Sequence, residues 1–456
     1  MEICVIGGGY VGAVAAACFA EIRHRVVLIE KDLEKLNNYR QGRSSHYEPG
    51  LDELLGKVTQ EGRLQFSDLI SEGVSRCGVI FAAVGTPACP DGSPDMTAVE
   101  AVAREIGKHL SEYRLIVEKS TVPVNTCENI RRRVALAAHR NIPFDIASNP
   151  EFLREGCAVR DFLYPDRIIV GVERERARML LEEVYEPLTS GSYYISRHEG
   201  NVKAPPLMAT DVKSAELIKH ASNAFLAMKI SFINAISTVC ELAGADVEDV
   251  SRGMGMDSRI SPFFLQAGIG YGGSCFPKDV MAFQQISKQL GYDFPLLAEV
   301  ARINGEQCAR FVQKVRDALW TLDGKKLAVL GLAYKPNTDD VRDSPAVQII
   351  RRLLNEGVHV SAYDPRAMKN ARMVLPQITL VSDPYEAAKG ADALLLLTAW
   401  PDFRELDFGK LHALMRCPIV LDGRNFLDGE LLTRLGFECY FIGRGKSKGW
   451  SKEAQT

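Results

Sequence analysis

The chain has 456 residues, 46% hydrophobic and 25% charged, which is length and apolar content for two or three globular domains of an ordinary soluble protein. A formal net charge of -3 lacks the basic excess that nucleic acid or an anionic membrane calls for, so neither is expected as a partner, and Arg131-Arg132-Arg133 reads as a solvated helix face. Eleven cysteines without CxxC pairs or His/Cys ligand spacing support neither a disulfide framework nor a metal site.

The N-terminus runs directly into MEICVIGGGYVG, with no leader pattern, and no apolar run is expected to reach membrane-spanning length, so the expected location is the cytoplasm. ICVIG (3–7) has the composition of a buried parallel strand, and GGGYVGAVAAACFAE turns it into a helix. The glycines fall as Gly7-x-Gly9-x-x-Gly12, and the next strand, RVVLIE, ends in Glu30. This is a dinucleotide-binding arrangement. Gly7 permits the tight turn, Gly9 admits a pyrophosphate to the backbone, Gly12 allows close helix packing, and Glu30 can take the adenosine ribose hydroxyls, favouring NAD over NADP. Cys4 and Cys18, like Cys240 further on, lie in apolar periodic stretches and read as small buried hydrophobes.

Further strands are predicted at 78–84, 114–119, 144–148 and 167–172. Three are followed at once by GTP (85–87), STVP (120–123) and NPEFLREG (149–156), so Thr86, Thr121 and Glu151 should converge on one crevice beyond the carboxyl ends of the strands. From Asp211 to Ala243 there is neither glycine nor proline, and Leu217, Ala221, Phe225, Met228, Phe232, Ile236 and Val239 recur at helical spacing. One long amphipathic helix of about 50 Å is predicted, bridging domains and offering a surface to a second subunit; a purely intramolecular helix is the alternative. Lys219 and Asn223 share a face of it, close to the apolar stripe. Spacing alone leaves Lys219 open between a catalytic lysine and a snorkelling one.

GYGGSCFPKD (270–279) places Cys275 in a glycine turn, and Pro277 fits the first turn of a helix. The helix dipole and Lys278 favour a thiolate there, and Asp279 lies one turn on, so Cys275 reads as a nucleophile toward a carbonyl. The chain then repeats its architecture: KKLAVLG answers to MEICVIG, HVSAYDP to VVLIEKD, and ADALLLLTAW to CGVIFAAVGTP. The fold class is therefore α/β, two Rossmann-like doubly wound domains joined by a helical middle segment with one long helix. The second half lacks the glycine fingerprint and should hold a different ligand; Lys335, Arg342 and Arg424 are cations placed to meet a phosphorylated compound.

GGGYVG, VGTP, KSTVPVNT, SNPEFLREG, SAELIKHASNAFLAMKISFINA, GIGYGGSCFPKD, GLAYKPNTDDVRDSPA and DGRN together resemble the UDP-glucose/GDP-mannose dehydrogenase family over nearly the whole chain, nearest its bacterial UDP-glucose-oxidising members. The resemblance implies residues 1–205 as an NAD-binding domain, 206–310 as a central helical dimerisation domain carrying the cysteine, 311–445 as a nucleotide-sugar-binding domain, and 446–456 as a basic tail. It implies a four-electron, NAD-dependent oxidation of UDP-glucose to UDP-glucuronate through a thiohemiacetal and a thioester of Cys275. GDP-mannose and the UDP-N-acetylhexosamines are the alternative substrates.

By the same resemblance, Lys219 handles the substrate hydroxyl proton or the developing oxyanion, Glu151 is the base for thioester hydrolysis, and Asn223, Asp279 and Thr121 position substrate and water. Gly7, Gly9, Tyr10, Val11, Gly12, Glu30, Lys35, Thr86, Thr121, Glu155, Lys278 and Arg342 are implied around NAD. Around the nucleotide sugar are implied Glu151, Phe152, Leu153, Arg154, Lys219, Asn223, Phe264, Gly270, Tyr271, Gly272, Tyr334, Lys335 and Arg424, with Arg259 reaching in from the neighbouring subunit of a homo-oligomer. Ser261 stands where the family has glycine, and SSHY precedes Glu48 where an isoleucine-containing turn is common. Two rival classes are a nucleotide-sugar sensor without catalysis and a two-electron dehydrogenase that uses the lysine without the cysteine.

Overall fold

The computed structural model describes residues 1–139, 141–199 and 201–444; the expected basic tail at 446–456 lies outside the described residues. Two compact units emerge, one of Met1–Ser222 with Gln285–Leu290, the other of Asn223–Gln284 with the chain from Gly291 onward.

The first unit is built on eight strands: β1 (Glu2–Ile6), β2 (Arg25–Ile29), β3 (Leu64–Ser67), β4 (Val79–Ala82), β5 (Arg114–Glu118), β6 (Phe144–Ser148), β7 (Ile168–Gly171) and β8 (Leu207–Thr210). Their order is β3-β2-β1-β4-β5-β6-β7-β8, parallel throughout except where β6 meets β7. Helices cover both faces, which is why Ile3, Cys4, Val5 and Ile6 are all buried although successive side chains point to opposite sides. The reversal of strand order at β1, where the chain next adds β4 on the other side, creates the crevice in which sheets of this order bind ligands.

The second unit repeats the plan with β9 (Lys326–Leu330), β10 (His359–Tyr363), β11 (Thr379–Leu380), β12 (Ala393–Leu396), β13 (Ile419–Asp422) and β14 (Glu438–Phe441), in the all-parallel order β11-β10-β9-β12-β13-β14. Both sheets therefore carry the 3-2-1-4-5-6 order of a Rossmann domain. At the end of β10, Asp364 is fully buried and accepts from Leu332 N at 2.7 Å, Ala333 N at 3.1 Å and Trp400 Nε1 at 3.1 Å. The turn after β9 thus spends on its own acid the N–H groups that a glycine fingerprint offers to phosphates, in keeping with a different ligand for this half.

The long helix spans Val212–Ala243, 32 residues, or about 48 Å. Its apolar stripe faces outward and its polar face inward. Lys219, His220, Asn223, Ser231 and Asn234 are buried, while Phe225, Phe232, Val239 and Leu242 are exposed, Leu242 at 86%. Lys219 and Asn223 therefore lie opposite the apolar stripe, not beside it. The buried polar groups find partners: Glu216 accepts from Asn125 N and Cys127 N, Ser231 donates to Val300 O, and Asn234 Oδ1 accepts from Gly268 N. Against the expectation of no apolar run of membrane-spanning length, this helix is long and apolar enough to cross a membrane by length and composition. Its polar face, hydrogen-bonded along its length, is that of a helix packed on protein.

Candidate active site

In the first unit the glycine turn leads from β1 into the helix Tyr10–Glu21. Gly7 has φ +107, and a Cβ there would lie 2.6 Å from Ala83 O; a Cβ on Gly12 would lie 1.8 Å from Gly7 O. Neither position accepts a side chain. The space beside Gly9 is open, and the helix carries no side-chain N-cap, so its first N–H groups are left for an anion. Glu30, buried at the end of β2, accepts from Gly8 N and Asp32 N, each at 2.9 Å, which fixes its carboxylate beside the turn while each oxygen keeps further acceptor capacity. Tyr39 donates to Gly8 O at 2.6 Å. An open backbone cradle next to a fixed acid fits a dinucleotide without a 2′-phosphate.

Two more strand ends meet here. Thr86, buried after β4, donates through its hydroxyl to Thr121 O at 2.9 Å, so the GTP and STVP loops are tied together. After β6, Glu151 and Lys219 form a buried pair, Nζ to Oε1 at 2.8 Å, with both side chains 5% exposed. Leu153 N donates to the other Glu151 oxygen at 2.6 Å, and Lys219 lies 5.6 Å from the Phe152 ring centroid. A carboxylate and an ammonium are thus held in contact and shielded from bulk water.

The same loop shows a residue to which sequence reasoning gave no role. Glu48 accepts from Gly156 N at 2.6 Å, Ala158 N at 2.8 Å and the Tyr10 hydroxyl, stapling the NPEFLREG loop to the start of the glycine helix; burial raises its proton affinity. Its signal in the sequence is faint, a glutamate before Pro49-Gly50 at a helix start. Lys119, also without a role so far, is buried at the end of β5 and donates to Asn149 Oδ1 at 2.9 Å. Glu155 is buried close by, Lys35 lies half-buried on the helix Leu33–Arg40, and Arg154 is turned onto Asp161 at 2.7 Å.

In the second unit Cys275 directly precedes the helix Phe276–Gln289, and Pro277 occupies its first turn, where its missing N–H costs nothing. Cys275 is half-buried, its carbonyl accepts from Asp279 N at 2.8 Å, and Ser274 Oγ lies 3.6 Å from Sγ. Asp279, 1% exposed, accepts from Asn223 Nδ2 at 2.6 Å and pairs with Lys278 at 2.9 Å, so Lys278 is committed to the aspartate one residue on. Asn223, Asp279, Lys278 and Cys275 form one constellation. Lys219 stands one helical turn before Asn223 on the same helix.

A second constellation surrounds Arg424. Its guanidinium donates to Leu397 O at 2.8 Å, Gly270 O at 2.9 Å and Tyr334 O at 3.2 Å, and burial pulls it down to about 10, which still leaves it charged at neutral pH. Gly270, Tyr334 and Arg424, three residues named for the nucleotide sugar, therefore meet. Gly273 lies against the Tyr334 ring, where a Cβ would approach to 2.5 Å. Tyr271 is held by Asn304, which accepts from Tyr271 N at 2.9 Å and donates to its carbonyl at 3.1 Å; a Cβ on Gly272 would lie 2.2 Å from Asp343 O. Lys335 lies over the Tyr334 ring at 5.4 Å.

Left-handed backbone at Phe264 (φ +65), Asn337 (φ +62), Asp343 (φ +47) and Asn425 (φ +51) concentrates strain in the loops around this cluster, as binding sites commonly do. Ser261 has φ +67, which explains physically why glycine is the easier residue there. The guanidinium groups of Arg342 and Arg259 are exposed and each rests on a neighbouring carboxylate, Asp340 at 2.7 Å and Asp257 at 2.6 Å, while the Arg342 carbonyl accepts from Gly273 N at 3.0 Å.

Residues 1–189 match the NAD binding domain of the UDP-glucose/GDP-mannose dehydrogenase family, residues 213–306 its central domain and residues 328–429 its UDP binding domain. The chain is 42% identical over 449 residues to UDP-glucose 6-dehydrogenase TuaD of Bacillus subtilis (strain 168), covering 98% of this chain and 94% of that one. A solved UDP-glucose dehydrogenase from the hyperthermophilic archaeon Pyrobaculum islandicum is 41% identical with a TM-score of 0.85, over 93% of this chain and 94% of that one. A UDP-D-ManNAc dehydrogenase from Pyrococcus horikoshii superposes with a TM-score of 0.83 at 26% identity, over 98% of this chain and 100% of that one.

Proposed function

Because the chain belongs to the UDP-glucose/GDP-mannose dehydrogenase family of NAD-dependent nucleotide-sugar dehydrogenases, we propose that it oxidises UDP-glucose to UDP-glucuronate in two successive steps, with two NADH per sugar. The observation that carries the choice of sugar is the full-length identity of 41–42% to proteins named for UDP-glucose, against 26% to one named for UDP-D-ManNAc at nearly the same fold similarity.

NAD is held by the Gly7–Gly12 turn with Glu30, Thr86 and Thr121, and when bound it accepts the hydride of each oxidation. Lys219 in its neutral form takes the proton of the sugar's 6-hydroxyl directly or through a water it orients, and the resulting ammonium gives that proton up to solvent before the next turnover. Cys275 then adds as thiolate to the aldehyde carbon; a C–S bond forms and the carbonyl oxygen becomes an oxyanion, for which Lys219 and Asn223, one turn apart on the long helix, are the proposed donors. Loss of hydride from this adduct leaves a thioester. Glu151 removes a proton from water as its oxygen joins the acyl carbon, the C–S bond breaks, and Cys275 leaves as thiolate for the next turnover. The Arg424 cluster holds the nucleotide sugar in the second unit. Incubation with limiting UDP-glucose should yield two NADH per sugar, and GDP-mannose or a UDP-N-acetylhexosamine little or none. One NADH per sugar would mean a two-electron enzyme, and binding without NADH a sensor.

The acid of β2 makes a second test. A 2′-phosphate would meet the Glu30 carboxylate, so kcat/KM with NADP should fall at least tenfold below that with NAD; equal turnover would remove Glu30 from the adenosine site. Arg424→Ala takes away a charge-assisted contact to the 270 loop worth about 1.5–3 kcal/mol, so UDP-sugar affinity should drop about tenfold or more while NAD affinity stays within twofold. The reverse pattern in calorimetric titrations would exchange the ligands of the two halves.

The exposed apolar face of the long helix supports a homodimer built on it. A glutamate at both Phe225 and Phe232 should then shift the sedimenting species to monomer; an unchanged mass would place the subunit contact elsewhere.

A further inference from the structure

Lys119 is as deeply buried as Lys219, each 4% exposed. Its ammonium donates to Asn149 Oδ1 at 2.9 Å and lies 5.8 Å from the Phe162 ring centroid. Among the described residues it has no carboxylate within ion-pair distance, in contrast to Lys219 on Glu151. Asn149 is fixed in turn. Its Nδ2 donates to Ile169 O at 2.8 Å, which obliges its Oδ1 to face Lys119 and the Tyr185 hydroxyl, the latter at 2.5 Å. A buried ammonium resting on a neutral oxygen is costly, and a strut for Asn149 does not require a charge.

In the β5–β6 register Glu118 lies opposite Ser148, so Lys119 and Asn149 sit side by side just past the strand ends, two residues before Glu151 of the Glu151–Lys219 pair. Burial brings Lys119 down to about 8, Glu151 opposes that, and Lys219 adds to it. The facing Tyr185 hydroxyl is kept neutral by burial. Glu118, the preceding residue, points through the other face of the sheet, toward Glu216.

We infer that Lys119 is a positioning residue for the reaction: its ammonium, anchored on Asn149, adds positive charge beside the Glu151–Lys219 pair and so eases the departure of the proton from Lys219. The inference rests on the proton-handling roles proposed above for that pair. It gives the STVP loop a function beyond cofactor contact, since the residue that opens it adds its charge beside the pair on the neighbouring strand end and helix.

Lys119→Met removes the charge at nearly constant volume and leaves Asn149 Oδ1 its bond from Tyr185, so the fold should tolerate it. Without the cation Lys219 should hold its proton more tightly. The midpoint of Lys219, followed by NMR on ε-carbon-labelled lysine in the ligand-free full chain, should rise by about half a unit to one unit. The acid limb of the kcat/KM profile for NADH formation from UDP-glucose should move alkaline by a similar amount. Lys119→Arg keeps the charge and should keep both midpoints, whatever its rate. Lys119→Gln, which retains a donor for Asn149, carries the same test if the methionine variant does not fold. Unmoved Lys219 midpoints in the uncharged variants would leave Lys119 a strut and overturn the inference. The NMR titration needs no substrate, so a failure of the UDP-glucose reading appears separately, as wild-type protein without NADH formation.

Discussion

Cys275→Ala is expected to keep NAD and UDP-glucose binding within about threefold and to lose sustained uronate formation by at least a thousandfold. The first hydride leaves an alcohol, a step that needs a proton acceptor and bound NAD but no thiol. An aldehyde has no hydride to lose until a nucleophile adds to its carbonyl, and the proposed nucleophile is Cys275, at the start of the helix Phe276–Gln289 where the dipole favours an anion. Without the thiol, what remains is slow aldehyde formation and the hydrated aldehyde, whose second oxidation borrows water in place of sulfur. Removing a nucleophile from a covalent mechanism forfeits its whole contribution to the barrier, and each 1.36 kcal/mol is tenfold in rate. Binding should persist because the Arg424 cluster and the glycine turn do not depend on Sγ. Near-native uronate formation with two NADH per sugar in the alanine variant would make Cys275 structural.

The parallel strands were legible because both faces of each sheet are covered. ICVIG, GVIFAAV and ADALLLLTAW are continuous apolar runs, and the loops that matter begin where those runs stop, at Gly7, Gly85 and Trp400. The edges were less legible. β3, β8 and β11 are four, four and two residues long and partly exposed, so LQFS, LMAT and TL give no run to read. The long helix exposes a different limit. Periodicity told which residues share a face, Leu217 with Phe225 and Phe232, but not which face is inward, and here the polar face is inward because Glu216, Asn223, Ser231 and Asn234 each meet a partner distant in sequence.

The site divides in the same way. Glu30, Glu151 and Cys275 announce themselves by their place after a strand, in a proline-stiffened loop and before a helix. Lys119 and Glu48 do not, since their meaning lies in Asn149 and Gly156, 30 and 108 residues away. Arg424 was read as a cation for a phosphorylated ligand, and the structure adds that its guanidinium organises Gly270 and Tyr334 through their carbonyls. No spacing rule brings those three stretches together.

Glu151→Gln should stall the reaction one step later than Cys275→Ala and leave a visible product. The amide is nearly isosteric and can still accept from Leu153 N and face Lys219, so the loop should hold its shape and the second hydride should still leave. It cannot take a proton from water. Hydrolysis of the thioester then depends on unassisted water in a buried pocket, and general-base catalysis typically contributes about a hundredfold to ten-thousandfold. With excess NAD, a burst of close to two NADH per active site should precede a steady rate at least a hundredfold below wild type. During it, intact-protein mass should show a UDP-uronyl adduct that the Cys275→Ala, Glu151→Gln double variant lacks. The substitution also leaves Lys219 without its carboxylate, so proton removal from the 6-hydroxyl should become easier at lower pH, and the burst should persist there. A steady rate lowered a hundredfold with neither burst nor adduct would place Glu151 before the thioester, as a partner of Lys219 in the first oxidation, and would reassign hydrolysis to another base.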